Sequence, residues 1–166
     1  MRADIVPLRD EHFSQLREVL DAVAREGRYL AFLQAPPLEE AIAFYRNILE
    51  RECPAVVAVA DGRVTGWCDV LPTNGEARAH VGTIGLGLIP EYRGRGIGAA
   101  LMAEALERAW AKGFTRIELT VRTDNVRAKR LYEGLGFTVE GTLRDAFRVN
   151  GEYFDSLFMG LLRHET

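Results

Sequence analysis

Lysine is nearly missing from this chain of 166 residues: of 21 lysines and arginines, only Lys112 and Lys129 are lysine. Cysteine is scarce as well. Cys53 and Cys68 have neither the number nor the spacing of a disulfide framework or a zinc site. The three histidines, His12, His80 and His164, are scattered, so no metal cluster can be read. No apolar run approaches the roughly 18 residues of a membrane helix. The opening Met-Arg-Ala-Asp lacks the basic-then-apolar pattern of a secretory signal. Excess positive charge is absent too, with a net charge of −3 and a pI near 5.7, which argues against a nucleic-acid backbone as partner. These absences predict a cytoplasmic protein without metal, membrane or nucleic-acid partner.

What is present is a core and an unusual density of glycine. Hydrophobic residues make up 48% and charged residues 27%, the balance of a globular domain, and the length suits one domain over 1–166. Of 16 glycines, six (Gly82, Gly85, Gly87, Gly94, Gly96 and Gly98) fall within 17 residues. Glycine crowded in this way marks backbone that a side chain would obstruct.

The hydrophobic pattern predicts the element order β-α-α-β-β-β-α-β-α-β-β. A short strand at Ile5-Val6 leads through Asp10, an N-cap candidate, into an amphipathic helix that ends at Gly27. A second helix runs from about Leu38 to Glu52. Ala55 to Ala60 and Val64 to Leu71 read as strands around an Asp61-Gly62 turn. A third antiparallel strand spans about Arg78 to Ile89. A helix from about Ile97 to Lys112 carries a wide apolar stripe. A strand from Arg116 to Val121 follows, and strand-helix-strand order means parallel pairing. A short helix from Asn125 to Leu135 precedes two long strands, Phe137 to Val149 and Glu152 to Leu162, joined by an Asn150-Gly151 turn. The fold class is mixed α/β: a mostly antiparallel sheet of six or seven strands with helices on both faces.

The chemistry concentrates in Leu86-Gly-Leu-Ile-Pro-Glu-Tyr-Arg-Gly-Arg-Gly-Ile-Gly98, where a strand runs through a glycine-rich turn straight into a helix. Free N–H groups of residues 93 to 98, a helix N-terminus worth about half a positive charge, and the side chains of Arg93 and Arg95 make a cradle for a pyrophosphate. A Walker loop is excluded because it needs a lysine. A Rossmann fingerprint is excluded because Ile89-Pro90 follow Gly85-Leu-Gly87 and the segment lies mid-chain.

Arg93-Gly-Arg-Gly-Ile-Gly98 resembles the R/Q-x-x-G-x-G/A signature of the GNAT acetyltransferases. Asn125-Val-Arg-Ala-Lys-Arg-Leu-Tyr132 followed by Gly134-Leu-Gly-Phe137 resembles the second family signature, and the element order is similar over essentially the whole chain. Glu140-Gly-Thr-Leu-Arg144 and Gly151-Glu-Tyr-Phe-Asp155 resemble the branch that holds phosphinothricin, L-amino-acid and ribosomal-protein N-acetyltransferases.

The resemblance implies an acetyl-CoA-dependent N-acetyltransferase acting on a primary amine of a small, amino-acid-like molecule. The alternatives are a protein N-terminal acetyltransferase and a non-catalytic acyl-CoA-binding module. Acetyl-CoA is expected between two splayed parallel strands. Leu86, Gly87 and Leu88 are expected to meet pantetheine through their main chain, on a strand that Gly85 and Gly87 allow to bulge. Arg93, Gly94, Arg95, Gly96, Ile97 and Gly98 are expected around the pyrophosphate, Asn125 on the pantetheine arm, and Arg127, Lys129 and Arg130 toward the 3′-phosphate. Leu88 N–H is expected to hold the oxyanion, and Tyr132 to protonate the departing thiolate.

The general base is where the chain departs from the resemblance. The position that carries a catalytic Glu in ribosomal-protein acetyltransferases is Thr120, which cannot be a base. Glu118 on the same strand face, Asp69, Asp155 or a water chain remain as candidates, and Cys68 as a nucleophile is the lesser option beside a buried thiol. The closing hairpin around Asn150 offers an interface for a homodimer.

Overall fold

The computed structural model describes residues 2–166. Seven strands form one sheet in the order β1-β2-β3-β4-β5-β7-β6. They are β1 (Asp4–Pro7), β2 (Ala55–Ala60), β3 (Arg63–Pro72), β4 (Val81–Leu88), β5 (Arg116–Arg122), β6 (Thr138–Val149) and β7 (Glu152–Leu162). The helices are α1 (Phe13–Arg25), α2 (Leu38–Glu50), α3 (Ile97–Lys112) and α4 (Val126–Gly134). The expected element order is the observed one, and only the β4/β5 pair is parallel.

Each face of the sheet is covered by two helices because each sequence stripe has a matching strand face. Leu16, Val23, Ala41, Tyr45 and Ile48 of α1 and α2 pack with Val57 and Trp67. On the other face Leu101, Met102, Ala105 and Ala109 of α3 pack with Cys68, Val70, Ile84, Ile117 and Met159, and Ala128 and Tyr132 of α4 join them. Alternation along the strands does the sorting: Trp67 and Asp69 face α1 and α2, while Cys68 and Val70 face α3.

Two boundaries differ from expectation. Asp10–His12 form a 3-10 turn before α1, with Arg9 N–H donating to His12 Nδ1 at 3.0 Å, so Asp10 does not cap the helix. Glu76–Arg78 form another such turn, so β4 begins at Val81 rather than Arg78. The Asn150-Gly151 turn has φ of 51° and 79°, as a type I′ hairpin requires. No helix among the described residues is long and apolar enough to cross a membrane.

Candidate active site

A cleft opens where two parallel strands part. β4 and β5 pair only over Val81–Thr83 with Arg116–Glu118. Beyond that, β4 stays on β3 as far as Leu88 while β5 follows β7 as far as Arg122.

The ladder between β3 and β4 decides which main-chain groups face this cleft. Its register runs without a shift from Gly66↔Leu88 to Pro72↔Gly82. At one end Ile89 N–H donates to Thr65 O, and at the other Thr73 N–H donates to Val81 O. Residues of an antiparallel pair alternate between exchanging hydrogen bonds with the partner and facing away from it. Odd-numbered residues of β4 therefore bond β3, and Leu86 and Leu88 turn their N–H and C=O groups toward the space that β5 has left. Arg93 Nε donates to Leu88 O at 2.8 Å. Leu86 N–H, Leu86 C=O and Leu88 N–H remain.

This register corrects two expectations. β4 carries no bulge, and Gly87 spends its main-chain groups on Trp67 rather than on the cleft. The glycines have another cause. A Cβ at Gly87 would run into the Trp67 ring, and one at Gly85 would lie 3.2 Å from Asp69 Oδ1.

The turn after β4 begins with a 3-10 turn at Pro90–Tyr92. Gly94 and Gly96 adopt φ of 74° and 81°, a region that costs other residues about 1–2 kcal/mol. The N–H groups of Gly94, Arg95 and Gly96 have no acceptor within the described chain, and Ile97 and Gly98 begin α3, where N–H groups lack helical partners. A Cβ on Gly96 would meet nothing within 4 Å, so the space in front of the turn is open. Gly98 differs: its Cβ would touch Leu131 at 3.5 Å, which makes it a contact between α3 and α4.

The two arginines of the turn separate. Arg93 points away from the cradle. Its guanidinium binds Glu26 at 2.9 and 2.6 Å and lies over the Tyr29 ring, and its own N–H donates to Pro90 O. The expectation of Arg93 as a phosphate ligand is corrected accordingly: it ties the end of α1 to β4 and holds Leu88 O. Arg95 is exposed above Tyr92. Arg127 of α4 comes close to the turn instead, its Nη1 3.8 Å from the Cβ position of Gly94.

Asn125 is the N-cap of α4, its Oδ1 accepting from Ala128 N–H at 3.2 Å. Tyr132, one turn before the helix end, packs half-buried against the α3 core, 6.0 Å from Phe137 between ring centroids. Burial, reinforced by the nearby Cys68 thiol, pushes its phenol above the ordinary value. It stays protonated at neutral pH.

The candidate bases have different surroundings. Glu118 receives Arg78 Nη2 at 3.0 Å on both oxygens and Arg116 Nε at 2.9 Å, and Arg116 continues to Glu140. It also sits opposite Thr83, at the closed end of the cleft. That carboxylate is fully engaged in a structural network, against the expectation of a base. Asp155 Oδ1 accepts the N–H of Asp145, which has φ of 49° in the irregular part of β6. Asp69 has no hydrogen-bond or ion-pair partner among the described residues, and burial pushes its carboxyl up to about 7. Cys68 is fully buried with its thiol against Met102 Sδ at 3.7 Å, and burial pushes it well up, so no thiolate is available.

The chain just after α1 is tied to the end of β5 and to β6. Arg122, buried, donates Nη1 to Gly27 O at 2.8 Å, binds Asp124 through Nε and Nη2, and stacks on Phe154 at 3.6 Å. A Cβ at Gly27 would lie 3.3 Å from Val149 of β6. Sequence reasoning missed this anchoring role of Arg122, and Glu26 with it. Only the odd placement of an arginine at the end of an apolar strand signals it.

Comparison with known proteins agrees with this geometry. The acetyltransferase (GNAT) family model matches residues 16–137. The chain is 36% identical over 110 residues, 65% of its length and 67% of the relative's, to the L-amino acid N-acetyltransferase AaaT of Escherichia coli K12. It is 36% identical over 111 residues, 66% of this chain and 67% of the relative, to the N-alpha-acetyltransferase RimI of Mycobacterium tuberculosis. Its fold superposes with a TM-score of 0.92 on a Sinorhizobium meliloti phosphinothricin acetyltransferase solved with acetyl-CoA, at 24% identity, covering 98% of this chain and 89% of that one. The chain belongs to the GNAT acetyltransferase family, and it is an N-acetyltransferase.

Proposed function

We propose that the protein transfers the acetyl group of acetyl-CoA to the primary amine of a small, amino-acid-like molecule. The observation that carries this reading is the set of unpaired main-chain groups, Leu86 N–H and C=O and Leu88 N–H, facing a cleft that ends at the Gly94–Gly98 turn. Pantetheine offers amide groups that pair with Leu86 like an added strand. The pyrophosphate suits the free N–H groups of residues 94 to 98 and the α3 N-terminus, with Arg95 and Arg127 beside it and Asn125 on the pantetheine arm.

The amine attacks the thioester carbonyl directly, since no thiolate is at hand to carry the acetyl group. Leu88 N–H stabilises the oxyanion. Tyr132 gives its proton to the departing thiolate as the C–S bond breaks. The acceptor side supports a small molecule: the start of the α1–α2 segment is held by Glu26 to Arg93 and by Gly27 to Arg122, which narrows the approach.

Release of CoA thiol, followed over L-amino acids, polyamines and a peptide with N-terminal alanine, tests the reading. Turnover fastest on an amino acid is expected. Turnover on the peptide alone favours a protein N-terminal acetyltransferase, and acetyl-CoA binding without turnover on any amine favours a non-catalytic binding module.

A further inference from the structure

We infer that Asp69 is the group that takes the proton from the acceptor's ammonium, and that the Tyr45 hydroxyl positions that ammonium beside it. The inference rests on the transferase reading above and adds its acceptor half.

The geometry begins with the sheet. Asp69 lies on β3 between Ala55 of β2 and Gly85 of β4. Its side chain points to the α1/α2 face, which is also the face of Thr120 and Arg122. Gly85 has no side chain to cover it, and Asp69 Oδ1 lies 3.2 Å from where that Cβ would be. Gly85 adjoins Leu86 and lies about 10 Å along the strand from Leu88. The carboxylate thus stands on the α1/α2 face two residues beyond the last β4/β5 pair, where the two strands begin to part.

The other acids on or beside this face are spent. Glu118 is held by Arg78 and Arg116, Asp124 by Arg122, and Asp155 by Asp145 N–H. Asp69 is left with both oxygens free. Asp69 is half-buried, and a carboxylate that loses part of its hydration without gaining a partner carries a cost.

The element packed over it contributes a second unpaired group. Tyr45 of α2 is buried, and its hydroxyl has no hydrogen-bond partner. Burial and then the charge of Asp69 push that phenol up, with Arg17 of α1 opposing. Arg17 itself donates to Pro36 O at 2.8 Å. Cys68 lies on the opposite face of β3. No cation neutralises Asp69, and burial raises it toward neutrality. A half-buried carboxylate and a buried hydroxyl, both without partners, match a primary ammonium: one N–H donates to the carboxylate, and the phenol oxygen accepts a second N–H.

The proton account closes. The ammonium gives one proton to the Asp69 carboxylate, and the neutral amine forms the C–N bond. The C–S bond breaks, and the thiolate takes the Tyr132 proton. The surplus proton on nitrogen restores Tyr132, and Asp69 returns its own to water. The net products are amide, CoA thiol and one proton.

The test is the pH profile of kcat/KM, measured with the panel amine turned over fastest, for wild type, Asp69→Asn and Tyr45→Phe. Wild type should rise about tenfold per pH unit below 7 and level above it. Asp69→Asn should lose that limb and fall about 100- to 1000-fold at pH 8, while its acetyl-CoA Kd by calorimetry stays within twofold. Tyr45→Phe should keep the limb and raise KM for the amine. Thermal melting at pH 8 confirms that each variant folds. A limb unchanged in Asp69→Asn overturns this inference while leaving the transferase reading intact. Acetyl-CoA binding without turnover on any amine overturns both.

Discussion

The indole of Trp67 lies over Gly87, so closely that a Cβ at Gly87 would fall within its ring atoms. The contact joins two neighbouring strands on the α1/α2 face and explains a glycine that the family resemblance assigns to the cofactor. Gly87→Ala should therefore act through packing. Either the indole or β4 must move, at a cost of about 1–3 kcal/mol. Chemical denaturation should show that loss, with a rise in KM for acetyl-CoA following from the displaced Leu86 and Leu88.

Gly96 makes the opposite case. Its φ of 81° carries a conformational cost for any side chain, and the Cβ position faces empty space. Gly96→Leu should destabilise the fold by about 1 kcal/mol while weakening CoA binding at least tenfold by calorimetry, because the side chain enters the space assigned to pyrophosphate. A stability loss without an affinity loss would remove the turn from the binding site.

Tyr132→Phe should lower kcat about 100-fold or more at neutral pH and leave KM for acetyl-CoA within twofold. The raised phenol remains protonated across the working range, so this variant should not lose an acidic limb of the rate profile. Steady-state kinetics from pH 6 to 9 separate this outcome from the loss of a core contact.

Glu118→Gln should behave as a stability variant. It removes a buried carboxylate shared by Arg78 and Arg116, leaving guanidinium groups short of an acceptor. A loss of about 1–3 kcal/mol is expected, with kcat within twofold of wild type. The Arg116 guanidinium holds the Glu140 carboxyl below its ordinary value. That contribution is present above the unfolded-state value and is lost as pH falls through the folded one, so acid melting should lose it in wild type and variant alike.

Asp69 predicts the reverse dependence on pH. Its folded value of about 7 lies above the unfolded one, so its contribution is full below the unfolded value and is lost as pH rises through 7. Asp69→Asn should melt at or above the wild-type temperature at pH 8 and show no such gain at pH 4. A carboxylate kept at a cost to stability is expected of a functional group rather than a structural one.

The legible parts of the molecule were those encoded in local pattern. The stripe of α3, the Asn150-Gly151 turn, the Asn125 cap and the run of glycines into α3 depend on neighbours a few residues away. Register and partner choice do not. That Leu86 and Leu88 rather than Gly87 face the cleft depends on which β3 residue lies opposite, set by Trp67 and Asp69. That Arg93 turns to Glu26 depends on where α1 ends, 67 residues earlier. Glu118 was readable as an acid on the correct strand, but its neutralisation by Arg78 comes from a 3-10 turn 40 residues away. Asp69 could be named as a candidate, whereas its lack of any partner is a property of the packed state.

The most direct measurement is an amide NMR titration of the ¹⁵N-labelled protein with acetyl-CoA. The account predicts shifts concentrated at Leu86, Leu88, Gly94, Arg95, Gly96, Ile97 and Gly98, with Gly87 N–H, bonded into the β3 ladder, shifting least among its neighbours. Shifts centred on Gly87, or away from the β4–α3 turn altogether, would contradict it.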